Sequence, residues 1–167
     1  MTGKPEWGSG PWDEEPDELL WWDERTGLPC LVLRHPELGS LNGYVGVHPG
    51  HPWFQKSGDD GESPDVHGGL TFANYGGFTL ANRIKDWSVL RLDGFWWLGF
   101  DCNHSGDLVP GLRARMRAVS DMSARLDFEV YRTFDYAKAE VTELAKQAGE
   151  AGGVTMLLLA YAPGPEE

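Results

Sequence analysis

Apolar and polar positions alternate along most of the chain's middle and switch to a helical period near its end. Leu28 to His35 reads as a strand, Pro36 and Gly39 as a turn, and Leu41 to Val47 as a second strand, so the short link predicts an antiparallel hairpin. On the second strand Tyr44, Gly46 and His48 share one face and Val45 and Val47 the other. Its glycines suggest close approach of another backbone or a ligand. Residues 49–64 form a long Gly/Pro/Asp loop of the kind that often serves as a lid or binding loop. Asp65 to Ala73 reads as a third strand, with Asp65, His67, Gly69 and Thr71 on one face.

After the glycine-rich stretch 74–87, Ser88–Leu92 and Phe95–Cys102 predict a hairpin closed by Asp93-Gly94, a favoured type I′ pair. Parity sets Trp97, Gly99 and Asp101 opposite Trp96, Leu98, Phe100 and Cys102. Leu112, Met116 and Val119 recur at helical spacing after Pro110-Gly111, and 126–131 alternates like a strand. Thr133 and Asp135 are start signals for the strongest helix, at about 134–148. Phe134, Ala137, Val141, Leu144, Ala145 and Ala148 form its apolar face, and Gly149, Gly152 and Gly153 are read as its stop. Val154–Ala162 reads as a last buried strand.

These elements predict an α+β fold: a single domain over 28–162, mainly an antiparallel twisted sheet of about five to seven strands packed against one main C-terminal helix. Residues 1–27 are acidic and rich in Trp and Pro, and are read as mostly loop or mobile tail, with 17–23 as a turn or edge element and Trp21 and Trp22 capping the core. Residues 163–167 are a tail.

Composition narrows the function. The 167 residues are 41% hydrophobic and carry 14 Lys and Arg against 26 Asp and Glu, a net charge of -12. So acidic a surface repels nucleic-acid backbones, which argues against general DNA or RNA binding. No apolar run is long enough to span a membrane, and the N-terminus lacks the layout of a secretory signal. Two cysteines make no disulfide framework, so Cys30 and Cys102 are read as reduced thiols in a cytoplasmic protein.

Candidate chemistry gathers in three stretches, Gly43–Phe54, Asp65–Phe72 and Phe95–Asp107. They hold four of the five histidines, His48, His51, His67 and His104, together with Asp65, Asp101 and Asp107. Imidazole beside carboxylate suits a divalent metal such as zinc, or general acid–base work. His67 is the candidate base or metal ligand, oriented by Asp65; His104 and Asp101 are the second acid–base pair. His48, His67, His104 and Asp107 are the candidate metal ligands. The backbone of Gly68 and Gly69 is a candidate anion site, with Thr71, Tyr44 and Trp97 as further ligand contacts. The bland alternatives are turn chemistry at His48-x-x-His51, a sheet-bonded His67 and a loop at 101–107 that satisfies its own backbone. Cys102 can be drawn as a nucleophile beside His104, but parity favours a buried thiol.

Gly-Tyr-Val-Gly-Val with Gly-His-Pro, Asp-Val-His-Gly-Gly-Leu-Thr-Phe, Trp-Trp-Leu-Gly-Phe-Asp-Cys-Asn-His-Ser-Gly-Asp and Tyr131-Arg-Thr-Phe-Asp-Tyr together resemble a family of small uncharacterised bacteriophage and bacterial proteins. The resemblance covers about 28–148 and implies a phage-type setting in the host cytoplasm, but no reaction. The expected function is a small phage-type enzyme, a His/Asp-dependent hydrolase, acting on a nucleotide-like or phosphorylated small molecule. The alternative is a non-catalytic accessory or anti-defence protein that sequesters a nucleotide or blocks a host protein. A third reading is an interaction protein working through its acidic surface.

Overall fold

The computed structural model describes residues 4–57, 63–76, 92, 94–119 and 128–153. The expected strand at 88–92 except Leu92, the one at 154–162, and the first two residues of the one at 126–131 lie outside them.

Five strands form one antiparallel sheet: β1 (Glu18–Trp22), β2 (Pro29–Arg34), β3 (Leu41–Val47), β4 (Phe72–Tyr75) and β5 (Trp96–Asp101), in the order β1-β2-β3-β5-β4. Helix α1 spans Pro110–Val119 and helix α2 spans Phe134–Gly152. The fold is therefore the expected α+β arrangement, a sheet packed against a long C-terminal helix. The β2–β3 hairpin pairs Cys30 with Val45 and Val32 with Gly43; β3 then pairs with β5, Val45 opposite Leu98 and Gly43 opposite Phe100.

Strand alternation divides the buried residues between two faces. Cys30, Val32, Val45, Leu98, Phe100 and Cys102 meet Phe134, Val141, Leu144 and Ala148 of α2. Leu31, Leu33, Tyr44 and Trp97 form a second cluster with Leu92 on the other face. Gly43 explains how closely the helix seats: a Cβ there would lie 2.4 Å from Val141 Cγ2 and 2.5 Å from the Phe100 ring. The close approach predicted for this strand is thus made by protein side chains.

Helix α2 starts as its sequence predicts, with Thr133 Oγ1 accepting from Tyr136 N at 3.2 Å. Its end is later than expected. The helix runs through Gly149, which packs on Thr26, and stops at Gly153 in a left-handed conformation, φ 67°.

Three other expectations change. The segment read as a strand from Asp65 is a loop and turn until Phe72, because Gly68 and Gly69 both take positive φ, 67° and 83°. Around 128–131 there is, among the described residues, a single bridge, Val130 to Asp107, and Phe128 and Val130 are 67% and 52% exposed. Residues 4–27 are not a tail: β1 pairs along β2, and Trp7 and Trp12 are buried. Trp21 does pack against the core, whereas Trp22 is exposed.

Arg34 ties that segment down. Its side chain is 2% exposed and donates to Glu15 Oε2, Asp17 Oδ1, the Gly39 carbonyl and the Tyr131 hydroxyl at 2.8–3.0 Å. Glu15 also accepts from Tyr131 at 2.6 Å and from the first amide of α2, Phe134 N, at 3.0 Å. A buried guanidinium needs such partners, because an uncompensated charge in the interior is costly.

Candidate metal centre

The site forms where the β5–α1 loop, the 65–69 turn and the start of α2 meet. Asp107 is its hub. Its side chain is 1% exposed, and Oδ2 lies 2.7 Å from His67 Nε2 and accepts from His104 N at 2.9 Å. Oδ1 accepts from Arg132 Nε at 2.8 Å. Burial pushes this carboxyl up, but the hydrogen bonds from Arg132, His67 and the His104 amide outweigh it and hold it below the usual carboxylate range. An ionised Asp107 can only accept, so His67 Nε2 carries the proton between them.

His67 is held on three sides. Its Nδ1 lies 3.0 Å from the Tyr136 hydroxyl, and its backbone N donates to Glu140 Oε2 at 2.9 Å. Burial, reinforced by the Glu140 charge, raises the Tyr136 phenol, so it stays protonated and can donate to Nδ1. The His67 ring sits edge-on to Phe100, Tyr136 and His104, with centroids 6.5, 5.5 and 5.4 Å apart.

His104 is reached through backbone geometry. The sharp turn after Cys102 closes with Asp107 N donating to the His104 carbonyl at 2.9 Å. Gly68 then fits against the imidazole so closely that a Cβ would lie 2.1 Å from His104 Cε1. His104 Nδ1 is buried without a hydrogen-bond partner, 3.8 Å from Asp107 Oδ2 and 3.9 Å from Asp101 Oδ1. One ligand atom from each of His67, His104 and Asp107 lies within 4.8 Å of the others.

The structure thus brings together His67, His104, Asp107 and, at its edge, Asp101, whose Oδ1 also caps Asn103 N at 3.0 Å. It leaves the other candidates apart. Asp65 is exposed and does not orient His67; its backbone is bracketed by the Gln147 amide, at 2.8 Å on each side. That orienting role belongs to Asp107 and Tyr136. His48 Nδ1 turns to the Pro49 carbonyl at 2.8 Å, beside His51 rather than His67. His51 is itself committed, with Nε2 on the Ala148 carbonyl and Nδ1 accepting from Trp53 N. The Gly69 amide donates to the Val66 carbonyl and is not open to an anion, while Gly68 serves as the seat of His104. Thr71 is exposed, its amide on the Gly99 carbonyl at the start of β4. Tyr44 and Trp97 are core residues on the sheet face away from α2, because parity sends them opposite to Phe100. Cys102 is buried, and burial beside Asp107 pushes its thiol up to about 12, as the core reading requires.

Arg132, Tyr136 and Glu140 were not among the sequence candidates. Tyr136 and Glu140 are four residues apart on α2, and thus on one helix edge beside its apolar face. Arg132 and Tyr136 both fall in the Tyr131–Tyr136 motif, which was the available signal.

No family model, curated protein or solved structure matches this chain. What the site can do therefore rests on its own geometry.

Proposed function

We propose that His67, His104 and Asp107 form a zinc-type divalent-metal centre in a small phage-type hydrolase that acts on a nucleotide-like or other phosphorylated small molecule in the host cytoplasm. The observation that carries this reading is the buried, unpartnered Nδ1 of His104 facing a carboxylate and a second imidazole. A loop that only satisfied its own backbone would not orphan that nitrogen, since an unmade buried hydrogen bond costs ~1–3 kcal/mol. Two imidazoles and a carboxylate suit zinc and leave a coordination position open. To ligate a metal through Nε2, His67 would take the tautomer with its proton on Nδ1, which would then donate to the Tyr136 hydroxyl, and Arg132 would keep Asp107 aimed. When bound, such a metal supplies Lewis acidity and a more acidic water. Apart from Nε, the Arg132 guanidinium nitrogens bond no described residue, and its side chain is 29% exposed, which suits a phosphate oxygen.

Metal analysis of natively purified protein, followed by zinc titration of the chelator-treated chain, tests this. One equivalent should bind, and His104→Ala should abolish it while the fold persists by circular dichroism. Absence of binding by the unmodified chain overturns the metal centre. Metal binding without phosphate release from any phosphorylated small molecule overturns the hydrolase.

The low exposure of the hub, 11% for the His67 side chain and 1% for Asp107, favours a second reading. In it the protein is a non-catalytic accessory or anti-defence factor that sequesters a nucleotide or blocks a host protein. Ligand released by heat from native protein would then be chemically unchanged.

A further inference from the structure

A second feature stands behind the same two chain segments. Leu108 N donates to the Val130 carbonyl, and Val130 N to the Gly106 carbonyl, locking 106–108 alongside 130. Asp107 and Arg132 meet at the candidate metal centre, whereas their neighbours Leu108 and Tyr131 line a cavity of about 280 Å³. Its other walls come from the N-terminal segment, with Trp7, Ser9 and Trp12, and from α1, with Arg113 and Arg117.

The chemistry of this lining departs from the rest of the molecule. The chain has a net charge of -12, yet no carboxylate lines the cavity among the described residues, and two guanidiniums do. Arg113 and Arg117 are four apart and lie on one face of α1, where like charges repel. Arg115, between them, has Glu37 at 3.3 Å; neither Arg113 nor Arg117 has an ion-pair partner among the described residues. Arg113 Nε is buried with no hydrogen-bond partner. A phosphate accepts from paired guanidiniums better than any neutral group does, and would relieve the repulsion between them. The remaining wall is aromatic: Trp12 and Tyr131 meet edge-on at 5.1 Å, and Trp7 adds a third ring. Ser9 and the backbone around it offer polar edges that a heterocycle can use and a plain phenyl ring cannot.

We infer that the cleft between residues 7–12, α1 and Tyr131 is a binding site for a nucleoside monophosphate, its phosphate on Arg113 and Arg117 and its base against the Trp7, Trp12 and Tyr131 wall. The site is separate from His67, His104 and Asp107 and does not require a metal there. It gives the nucleotide-binding reading a place in the fold.

Calorimetric titration of the full chain with AMP, GMP, CMP and UMP tests this, with inorganic phosphate, adenosine and phosphotyrosine as separate titrants. At least one monophosphate should bind saturably, at least tenfold more tightly than inorganic phosphate, adenosine or phosphotyrosine. Arg113→Gln and Arg117→Gln should each weaken it at least tenfold. Arg117 is exposed, so its variant keeps the test valid if Arg113→Gln fails to fold. Binding that persists in His104→Ala separates this site from the metal centre. The inference is overturned if none of the four monophosphates binds at millimolar concentration, if Arg117→Gln binds as well as the unmodified chain, or if phosphate or phosphotyrosine binds as tightly as the best nucleotide.

Discussion

His67 Nε2 and Asp107 Oδ2 lie 2.7 Å apart, joining residues 40 positions distant in the chain. The contact exists because α2 holds the glycine turn at His67 through Tyr136 and Glu140, and Arg132, just ahead of α2, holds Asp107. Everything proposed for the centre depends on that convergence.

Tyr136 reaches the other nitrogen of His67, so its hydroxyl sets the ring's orientation. Tyr136→Phe should leave the fold intact and weaken zinc binding by ~10–100-fold, the usual effect of losing a hydrogen bond behind a metal-ligating imidazole. Competitive titration against a chromophoric chelator reads this directly. Unchanged affinity would place Tyr136 outside the metal's support.

Gly68 is required twice over, by its φ of 67° and by the His104 ring against its Cα. Gly68→Ala should displace the imidazole and reduce metal affinity more than it reduces stability. Gly50→Ala is the control: it also replaces a left-handed glycine, φ 93°, but has open space where the Cβ would go. If both variants lose stability alike and neither loses metal, the seat at Gly68 has no role in the site.

Asp107 and Asp17 both titrate below the ordinary carboxyl range: burial pushes each up, and hydrogen bonds from Arg132 and His67, or from Lys4 and Arg34, more than reverse it. A carboxyl lowered on folding contributes stability that is fully present above its unfolded value, about 3.9, and is lost as pH falls through the folded value. Urea midpoints should therefore fall steeply below about pH 4; burial also lowers the His51 imidazole, so an earlier loss comes as pH falls through its unfolded value, about 6.5. Asp107→Asn should make that acid limb shallower; an identical limb would show that other groups govern it.

Arg34→Met should cost ~3–5 kcal/mol, because it leaves Glu15 without its buried counter-charge and Asp17 with Lys4 alone. Chemical denaturation gives the magnitude. Limited proteolysis should show new cleavage within residues 4–17, since these carboxylates fasten that segment to β2 and α2. An Arg34→Met variant with ordinary stability would mean that Trp7 and Trp12 hold the segment alone.

Cys30 and Cys102 are buried, and desolvation raises both thiols to about 12. Native protein should react negligibly with a disulfide reagent at pH 8, and two thiols should titrate in denaturant. Rapid labelling of Cys102 in the folded state would revive it as a nucleophile.

The sequence by itself determined the α+β class, the β2–β3 hairpin, the parity of β5 and the apolar stripe of α2. Those features follow from periodicity, and burial acts on each element's own pattern. The same parity marked Cys102 as core before any contact was known. The candidate metal ligands read from the sequence were His48, His67, His104 and Asp107, of which the last three lie side by side.

Only the tertiary structure decided which of those groups meet. Asp65 and His67 looked paired as neighbours on a strand, but two left-handed glycines bend that segment into a turn, and the carboxylate that meets His67 is Asp107. Tyr44 and Trp97 looked available until two packed faces claimed them for the core. The acidic N-terminal segment looked loose because its apolar residues lack a period. Its order comes instead from one buried arginine, Arg34, and from Trp7 settled over Gly39, and pairings that distant leave no local pattern to read.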